Sequence, residues 1–234
     1  MTKAIVLMTA SLLLLVTDVG HTKGQSRQPC VVPPAVIVQM RGPLEQTNAE
    51  ETVRLRQAPH GAKRLGKRQL QVRWSGGMRI FKDKPPYDEP LDGIWWRYCG
   101  YSAVAKVHLV CEQDSGLFTG KLLSDETGAL LPGGQRVLFS PNQRYYLAYE
   151  QPDGQDGETI TLYDRNGTTL WRGYNGILSS DGTTVVADFL NEHWDCQNRL
   201  VAEVHRSGKV AVTVTLTKVD DLKWEWLPNI LDLR

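Results

Sequence analysis

The 234-residue sequence predicts an all-β fold of antiparallel hairpin repeats of about 40 residues, propeller-like or arranged as an open twisted array or sandwich of hairpins. Three observations predict it. Units starting at Tyr101-Ser102, Phe139-Ser140 and Ser179-Ser180 run through the same order of turn, alternating strand, polar loop, second strand and Gly turn, with serine steps of 38 (140 minus 102) and 40 (180 minus 140). In each unit the strand after the serine alternates: Val107-His-Leu-Val-Cys111, Tyr145-Tyr-Leu-Ala-Tyr149 and Val185-Val-Ala-Asp-Phe189 are apolar at every second position. A period of two places one face of such a strand on a core. Each unit then closes on a turn quartet, Asp125-Glu-Thr-Gly128, Asp164-Arg-Asn-Gly167 or His205-Arg-Ser-Gly208, where Gly supplies the positive φ of a tight hairpin.

Taken from the N-terminus, Lys3 precedes the apolar run Ala4 to Val16 and a polar stretch to Ser26, the layout of a secretory signal peptide over residues 1–26. The apolar core is short for a membrane span, and no A-x-A stands at the cleavage position, so an uncleaved anchor is the alternative. Residues 27–68 read as a Pro-containing basic lead-in, punctuated by Pro29, Pro33, Pro34, Pro43 and Pro59, with a strand at Ala35 to Val38 and a short helix from Asn48 to Leu55 capped by Asn48. Residues 69–234 form the β-repeat domain. Its first part, Leu70-Gln-Val-Arg-Trp74, a Gly76-Gly77 turn and Met78-Arg-Ile-Phe81, reads as part of a degenerate fourth unit. Trp-Arg pairs at 96–97 and 171–172 extend the pattern upstream of two serines.

Charge is unevenly laid out. Residues 27–82 hold 11 basic and 3 acidic side chains, a surplus of +8, and residues 83–234 hold 14 basic and 22 acidic, −8. The basic part suits either adhesion to an anionic envelope polymer, lipid head groups or an acidic partner, or an arm packed on its own acidic domain. An exported chain without aromatics interleaved in the basic run is no candidate for nucleic acid.

Chemistry is sparse. There is no HExxH, GxSxG, Walker loop or CxxC, so the enzyme classes that carry these motifs are unsupported, and no cofactor is expected. The densest polar cluster is Glu192-His193-Trp194-Asp195-Cys196, in a loop where the third unit departs from the others. Its residue types suit metal or acid/base chemistry, or a partner-binding loop with Trp194 as aromatic anchor. Glu112 and Glu150 are equivalent by repeat and would share one rim. With Glu192 and Asp195 they are the carboxylates a secreted hydrolase would use. Asp153 to Glu158 offers oxygen ligands without a calcium-loop spacing, and Asn166-Gly-Thr168 is a formal glycosylation sequon in a hairpin turn.

In the repeat register Cys99 takes the place of Val137 and Ile177, and Cys111 that of Tyr149 and Phe189. The two bracket one turn, 12 residues apart, which predicts a disulfide across a hairpin in an oxidising compartment. Two small buried hydrophobes are the rival, and Cys30 and Cys196 are then free or paired with each other. Leu109, Leu147 and Ala187 are expected in the core at equivalent points, with Val107, Tyr145 and Val185 beside them.

The phrases Phe139-Ser-Pro-Asn-Gln-Arg-Tyr-Tyr-Leu-Ala-Tyr149 and Leu178-Ser-Ser-Asp-Gly-Thr-Thr-Val-Val-Ala187, with Ile160-Thr-Leu-Tyr-Asp-Arg-Asn-Gly167, resemble the blades of periplasmic propellers of the TolB type and, more distantly, WD repeats. They are also similar to short bacterial repeats named for a Trp-Gly dipeptide, which this chain lacks. The resemblance covers about residues 95–225. It implies a protein-binding surface without built-in catalysis. The expectation is an exported, non-catalytic protein, periplasmic or secreted, that binds a protein partner of the envelope or extracellular space. Glu112, Glu150, Glu192, His193, Trp194 and Asp195 are its candidate contacts, and a secreted hydrolase is the alternative.

Overall fold

The computed structural model describes residues 32–33, 36–37, 44–85, 93–114, 117–151, 158–178, 185–205, 211–220 and 223–228. The expected signal segment, most of the Asp153 to Glu158 stretch and the third turn quartet after His205 lie outside them. Four antiparallel sheets follow one another along the chain. The first holds β2 (Ala62–Arg64), β3 (Gln69–Trp74) and β4 (Gly77–Lys82); the second holds β5 (Ile94–Ser102), β6 (Val107–Asp114), β7 (Leu117–Ser124) and β8 (Leu130–Pro132). The third holds β9 (Arg136–Phe139), β10 (Tyr145–Glu150), β11 (Thr159–Asp164) and β12 (Thr169–Tyr174), with β1 (Val36–Ile37) added beside β9. The fourth holds β13 (Gly176–Leu178), β14 (Val185–Trp194), β15 (Leu200–His205), β16 (Val212–Lys218) and β17 (Trp224–Leu227). Each sheet is a meander of neighbouring strands, and together they make an open array of hairpins rather than a closed barrel.

Period two on both faces is what lets such an array stack. The three alternating strands of the repeat become β6, β10 and β14, each an inner strand of its sheet. Tyr98, Val110 and Leu123 of the second sheet pack on Leu70, Val72 and Phe81 of the first. From the opposite face Val107, Leu109, Cys111 and Leu122 meet Val137, Phe139, Tyr146 and Ala148 of the third. Leu138, Leu147, Tyr149, Ile160 and Leu162 in turn meet Phe189, Trp194, Leu200, Ala202, Val204, Val214 and Leu216 of the fourth. Leu109 and Leu147 are buried as expected and Tyr145 partly so, whereas the side chains of Val185 and Ala187 lie outside the description. The column 107/109/111 and its counterpart 147/149 face the sheet that follows. Phe189, their counterpart in the fourth sheet, lies in the core shared with the third. Among the described residues no further sheet follows the fourth, and Phe189 is buried against the third.

Cys99 and Cys111 are joined in a disulfide with Cα atoms 5.8 Å apart, and both are buried. The pairing agrees with the sequence, but regular register alone does not produce it. In the third sheet the counterparts Val137 and Tyr149 lie in different cores, on opposite faces. A β-bulge between Tyr98 and Gly100, where Gly100 takes φ 133°, inserts one residue and turns Cys99 onto the Cys111 face. Cys196 is also disulfide-bonded, and a buried disulfide is compatible with an oxidising compartment.

The helix in the lead-in, α1 (Leu44–Arg56), starts four residues before Asn48. Asn48 is therefore not its cap: the Asn48 carbonyl accepts the Thr52 hydroxyl, and its Oδ1 accepts Arg97 Nη1 at 2.7 Å. α1 lies along β5, the edge strand of the second sheet, and supplies the hydrogen-bond partners that an edge lacks. Glu51 Oε1 accepts the Tyr98 backbone N–H at 2.8 Å, and Arg54 donates to the Cys99 carbonyl at 3.2 Å. Glu51 is itself buried and also receives Arg64 at 2.9 Å; Arg64 reaches Asp83 at 3.4 Å and the Trp96 carbonyl. No helix among the described residues is long and apolar enough to cross a membrane.

Candidate functional site

The six expected contact residues scatter. Glu192, His193 and Trp194 belong to β14 rather than to a loop, because a bulge between Leu190 and His193 carries the strand on to Trp194 opposite Leu200. Trp194 is 1% exposed, donates Nε1–H to the Leu138 carbonyl at 3.0 Å and stacks on Tyr145. It is a core residue, and the reading of it as a surface anchor is corrected. Asp195 opens the true turn, accepting the Gln197 and Arg199 backbone N–H groups and the Arg199 guanidinium at 2.7 Å. His193 is exposed and its Nδ1 contacts the Asn191 carbonyl. Glu112 pairs with Lys121 on β7, and Glu150 of the next sheet accepts the Thr119 hydroxyl at 2.8 Å, also on β7. These two carboxylates therefore flank one strand at the junction of the second and third sheets.

Glu192 belongs to a partly buried polar group between the third and fourth sheets. Its side chain is 5% exposed and accepts Arg136 at 3.4 Å. Arg136 also approaches Glu158 at 3.7 Å and lies 3.6 Å over the Tyr149 ring. Asn175 donates to Glu158 at 2.6 Å. Burial holds the Glu158 carboxyl above its ordinary range despite Arg136. Burial and then the Glu192 charge push the Tyr149 phenol well up, so it stays neutral.

A second polar group joins the first two sheets. Tyr98 Oη lies 3.0 Å from His108 Nδ1, His108 Nε2 3.3 Å from Asp125 Oδ1, and His60 Nε2 3.1 Å from Asp125 Oδ2, which also accepts the Tyr101 hydroxyl. Burial lowers the His108 pKa more than Asp125 raises it, so the ring is neutral near pH 7. Burial alone would raise the Asp125 carboxyl, but hydrogen bonds from His60, His108 and Tyr101 bring it below the ordinary carboxylate range. The ionised carboxylate selects the tautomer: Nε2–H of His108 donates to Asp125, and Nδ1 accepts from Tyr98. Every proton of the chain is thereby engaged. The turn that carries Asp125 is held against Trp74, since a Cβ on Gly128, at φ 69°, would stand 2.3 Å from the indole. Sequence reading missed this chain, although one signal for it was present: His108 is the polar residue in the otherwise apolar run Val107 to Cys111.

His60, 41% exposed on its side chain, stands at the outer end of that chain between two surface clefts. One, of about 420 Å³, is lined by His60, Arg73, Trp74, Gly77 and Met78; the other, of about 270 Å³, by His60, Gly61, Ala62, Lys63, Gln71 and Arg73. Both open on the outer face of the first sheet. Alternation from the buried Leu70, Val72 and Phe81 places Lys63, Arg73, Met78, Ile80 and Lys82 on that face. Met78 is 57% and Ile80 41% exposed. Between Glu51 and Asp83 the chain has 9 basic residues and no acidic one. Arg54 and Arg64 turn inward to Glu50, Glu51 and Asp83, while Lys63, Lys67, Arg68, Arg73 and Lys82 form no ion pair among the described residues. No family model, curated protein or solved structure matches this chain. The likeness to propeller blades accordingly rests on the sequence phrases alone, and a functional reading has to come from the geometry.

Proposed function

We propose that this chain is an exported, non-catalytic binding protein whose first sheet engages a protein partner through an acidic segment. The observation that carries the reading is the outer face of that sheet: Lys63, Arg73 and Lys82 around exposed Met78 and Ile80, with no carboxylate among them and with clefts on both sides of His60. Unpaired cations on a sheet attract and orient an anionic ligand, and the apolar residues and side-chain-sized clefts favour a polypeptide over a uniform polyanion. Export is supported by the apolar run Ala4 to Val16 and by the buried disulfide. Absence of turnover is in keeping with carboxylates that are each engaged by a separate cation or hydroxyl.

The test compares wild-type protein with Lys63→Glu/Arg73→Glu in capture of a protein partner from native extract, with poly-glutamate and anionic vesicles as defined probes. The reading expects one captured protein, released with rising salt and weakened at least about tenfold by the double reversal. Capture indifferent to both salt and the reversal would refute it, as would tighter binding of vesicles than of any protein. Hydrolytic turnover abolished by Glu112→Gln or Glu192→Gln would place the chain among the secreted hydrolases.

A further inference from the structure

The first sheet ends on β4, an edge strand whose hydrogen-bond phase is fixed by the bonds around it. Arg73 N–H donates to the Gly61 carbonyl and Leu65 N–H to the Gln69 carbonyl, so the odd-numbered residues of β3 turn their backbone groups to β2. Asp83 N–H donates to the Arg68 carbonyl, so the even-numbered residues of β3 bond the odd-numbered ones of β4. The backbone N–H and C=O groups of Met78, Ile80 and Lys82 therefore point away from the sheet, and none of them has a partner among the described residues. One rung further on the same edge does pair: Lys84 and Ile94 exchange both backbone bonds, at 2.8 and 2.9 Å. β5 then leaves, because the Trp96 N–H is taken by Asp83 Oδ1 at 2.9 Å and its carbonyl by Arg64. The ladder begun at Lys84 is thus left with three unused rungs.

Resting on the reading of this sheet as the binding face, we propose that the partner's acidic segment binds by strand addition, as an extended stretch of polypeptide that pairs with β4 through Met78, Ile80 and Lys82. Residues opposite each other in an antiparallel pair project to the same face. Those opposite Met78 and Ile80 lie beside the exposed apolar patch, and the one opposite Lys82 beside its ammonium. The residue opposite Arg79 projects to the other face, where Arg79 donates to the Gly128 carbonyl and has no carboxylate partner among the described residues. The recognised segment therefore alternates: apolar opposite Met78 and Ile80, acidic opposite Arg79 and Lys82. A second copy of this chain fits less well, since pairing two such edges sets two basic faces side by side.

The probe is the end-blocked peptide Glu-Thr-Val-Glu-Val, which carries this pattern, and the readout is hydrogen exchange of the backbone amides of the full chain. Binding should slow exchange at Met78, Ile80 and Lys82 and leave Arg79 and Phe81, already bonded to β3, unchanged. In the peptide the amides of the first Glu and both Val face β4, while those of Thr and the second Glu face away. N-methylation of the first set should weaken binding at least about tenfold and that of the second set should not, although both peptides carry the same charge. Ile80→Pro removes one outward N–H, a change that an edge strand accepts, and should weaken binding to a similar extent. If that variant fails to fold, the two methylated peptides still decide. Salt and Lys63→Glu/Arg73→Glu report on the basic face, whereas methylation and Ile80→Pro report on the edge. Binding that falls with salt and charge reversal but treats both methylated peptides alike would overturn strand addition and leave the basic face standing. Absence of binding at about 1 mM peptide overturns it too. Protection of the three amides in the chain alone would assign the edge to a second copy or to the chain itself, and overturns it equally.

Discussion

Glu51→Ala tests the docking of α1, the feature of this fold least expected from its sequence. Removing the carboxylate takes the acceptor from the Tyr98 N–H at the bulge and the principal partner from Arg64. A buried amide left unmatched costs about 1–3 kcal/mol. Loss of a buried ion-pair partner costs about 3–5 kcal/mol, but Arg64 is 23% exposed and keeps Asp83 and the Trp96 carbonyl, so the lower part of that range or less applies. The expected loss is about 3 kcal/mol. Glu51→Gln retains an acceptor for Tyr98 and loses only the charge, so it should cost about half as much. Equilibrium urea unfolding under non-reducing conditions measures both, with the slope reporting whether the transition still exposes the same surface. If Glu51→Ala costs less than about 0.5 kcal/mol, α1 is not the partner of the β5 edge, and the account of the bulge fails with it.

Leu147→Ala, in the core shared with the fourth sheet, should cost about 2–4 kcal/mol in the same assay, while Met78→Ala on the open face should stay within about 0.5 kcal/mol. Reduction of Cys99–Cys111, which closes a loop of 12 residues, should lower stability by about 3 kcal/mol; peptide mapping that finds Cys99 as a free thiol in native protein would contradict the structure. Because His108 has a lowered pKa when folded, the unfolded chain binds its proton first. Stability should therefore be full above about pH 6.5 and fall as pH drops below it, and His108→Gln should flatten that limb of the pH profile.

What was legible in the sequence was periodic. The apolar positions of Val107 to Cys111 and Tyr145 to Tyr149 mark strands, and both became central strands covered on both faces by neighbouring sheets, with Val107, Leu109 and Leu147 buried and Tyr145 partly so. The turn glycines at 128 and 167 were legible for the same local reason, and both take positive φ. Bulges are where local reading stopped. One extra residue near Leu190 shifts phase, so Asn191-Glu-His193 looks like a loop while Trp194 returns to the core. The bulge at Cys99 had the opposite effect, making a disulfide that strict register would forbid. The helix edge contact and the His60–Asp125–His108 chain join residues tens of positions apart, and no spacing rule connects them.

The asymmetry of the array bears on where a partner would sit. At the C-terminal end Phe189 is buried inward, and the registered outer positions of β15 and β16 are largely polar, Glu203, Thr213, Thr215 and Thr217 among them. At the N-terminal end the outward positions include Lys63, Arg73 and Lys82, and the two exposed apolar side chains on that face make a small patch. A patch of that size gives little hydrophobic affinity, so the cations must supply steering and orientation. Binding at this face should therefore weaken steeply with salt, mainly through slower association. Arg64, by contrast, is committed to Glu51 and Asp83 and holds the lead-in to the body of the protein. The same run of basic residues thus does two jobs that the net charge conceals: its inward members fix the first sheet and α1, and its outward members form the surface on which the proposed function rests.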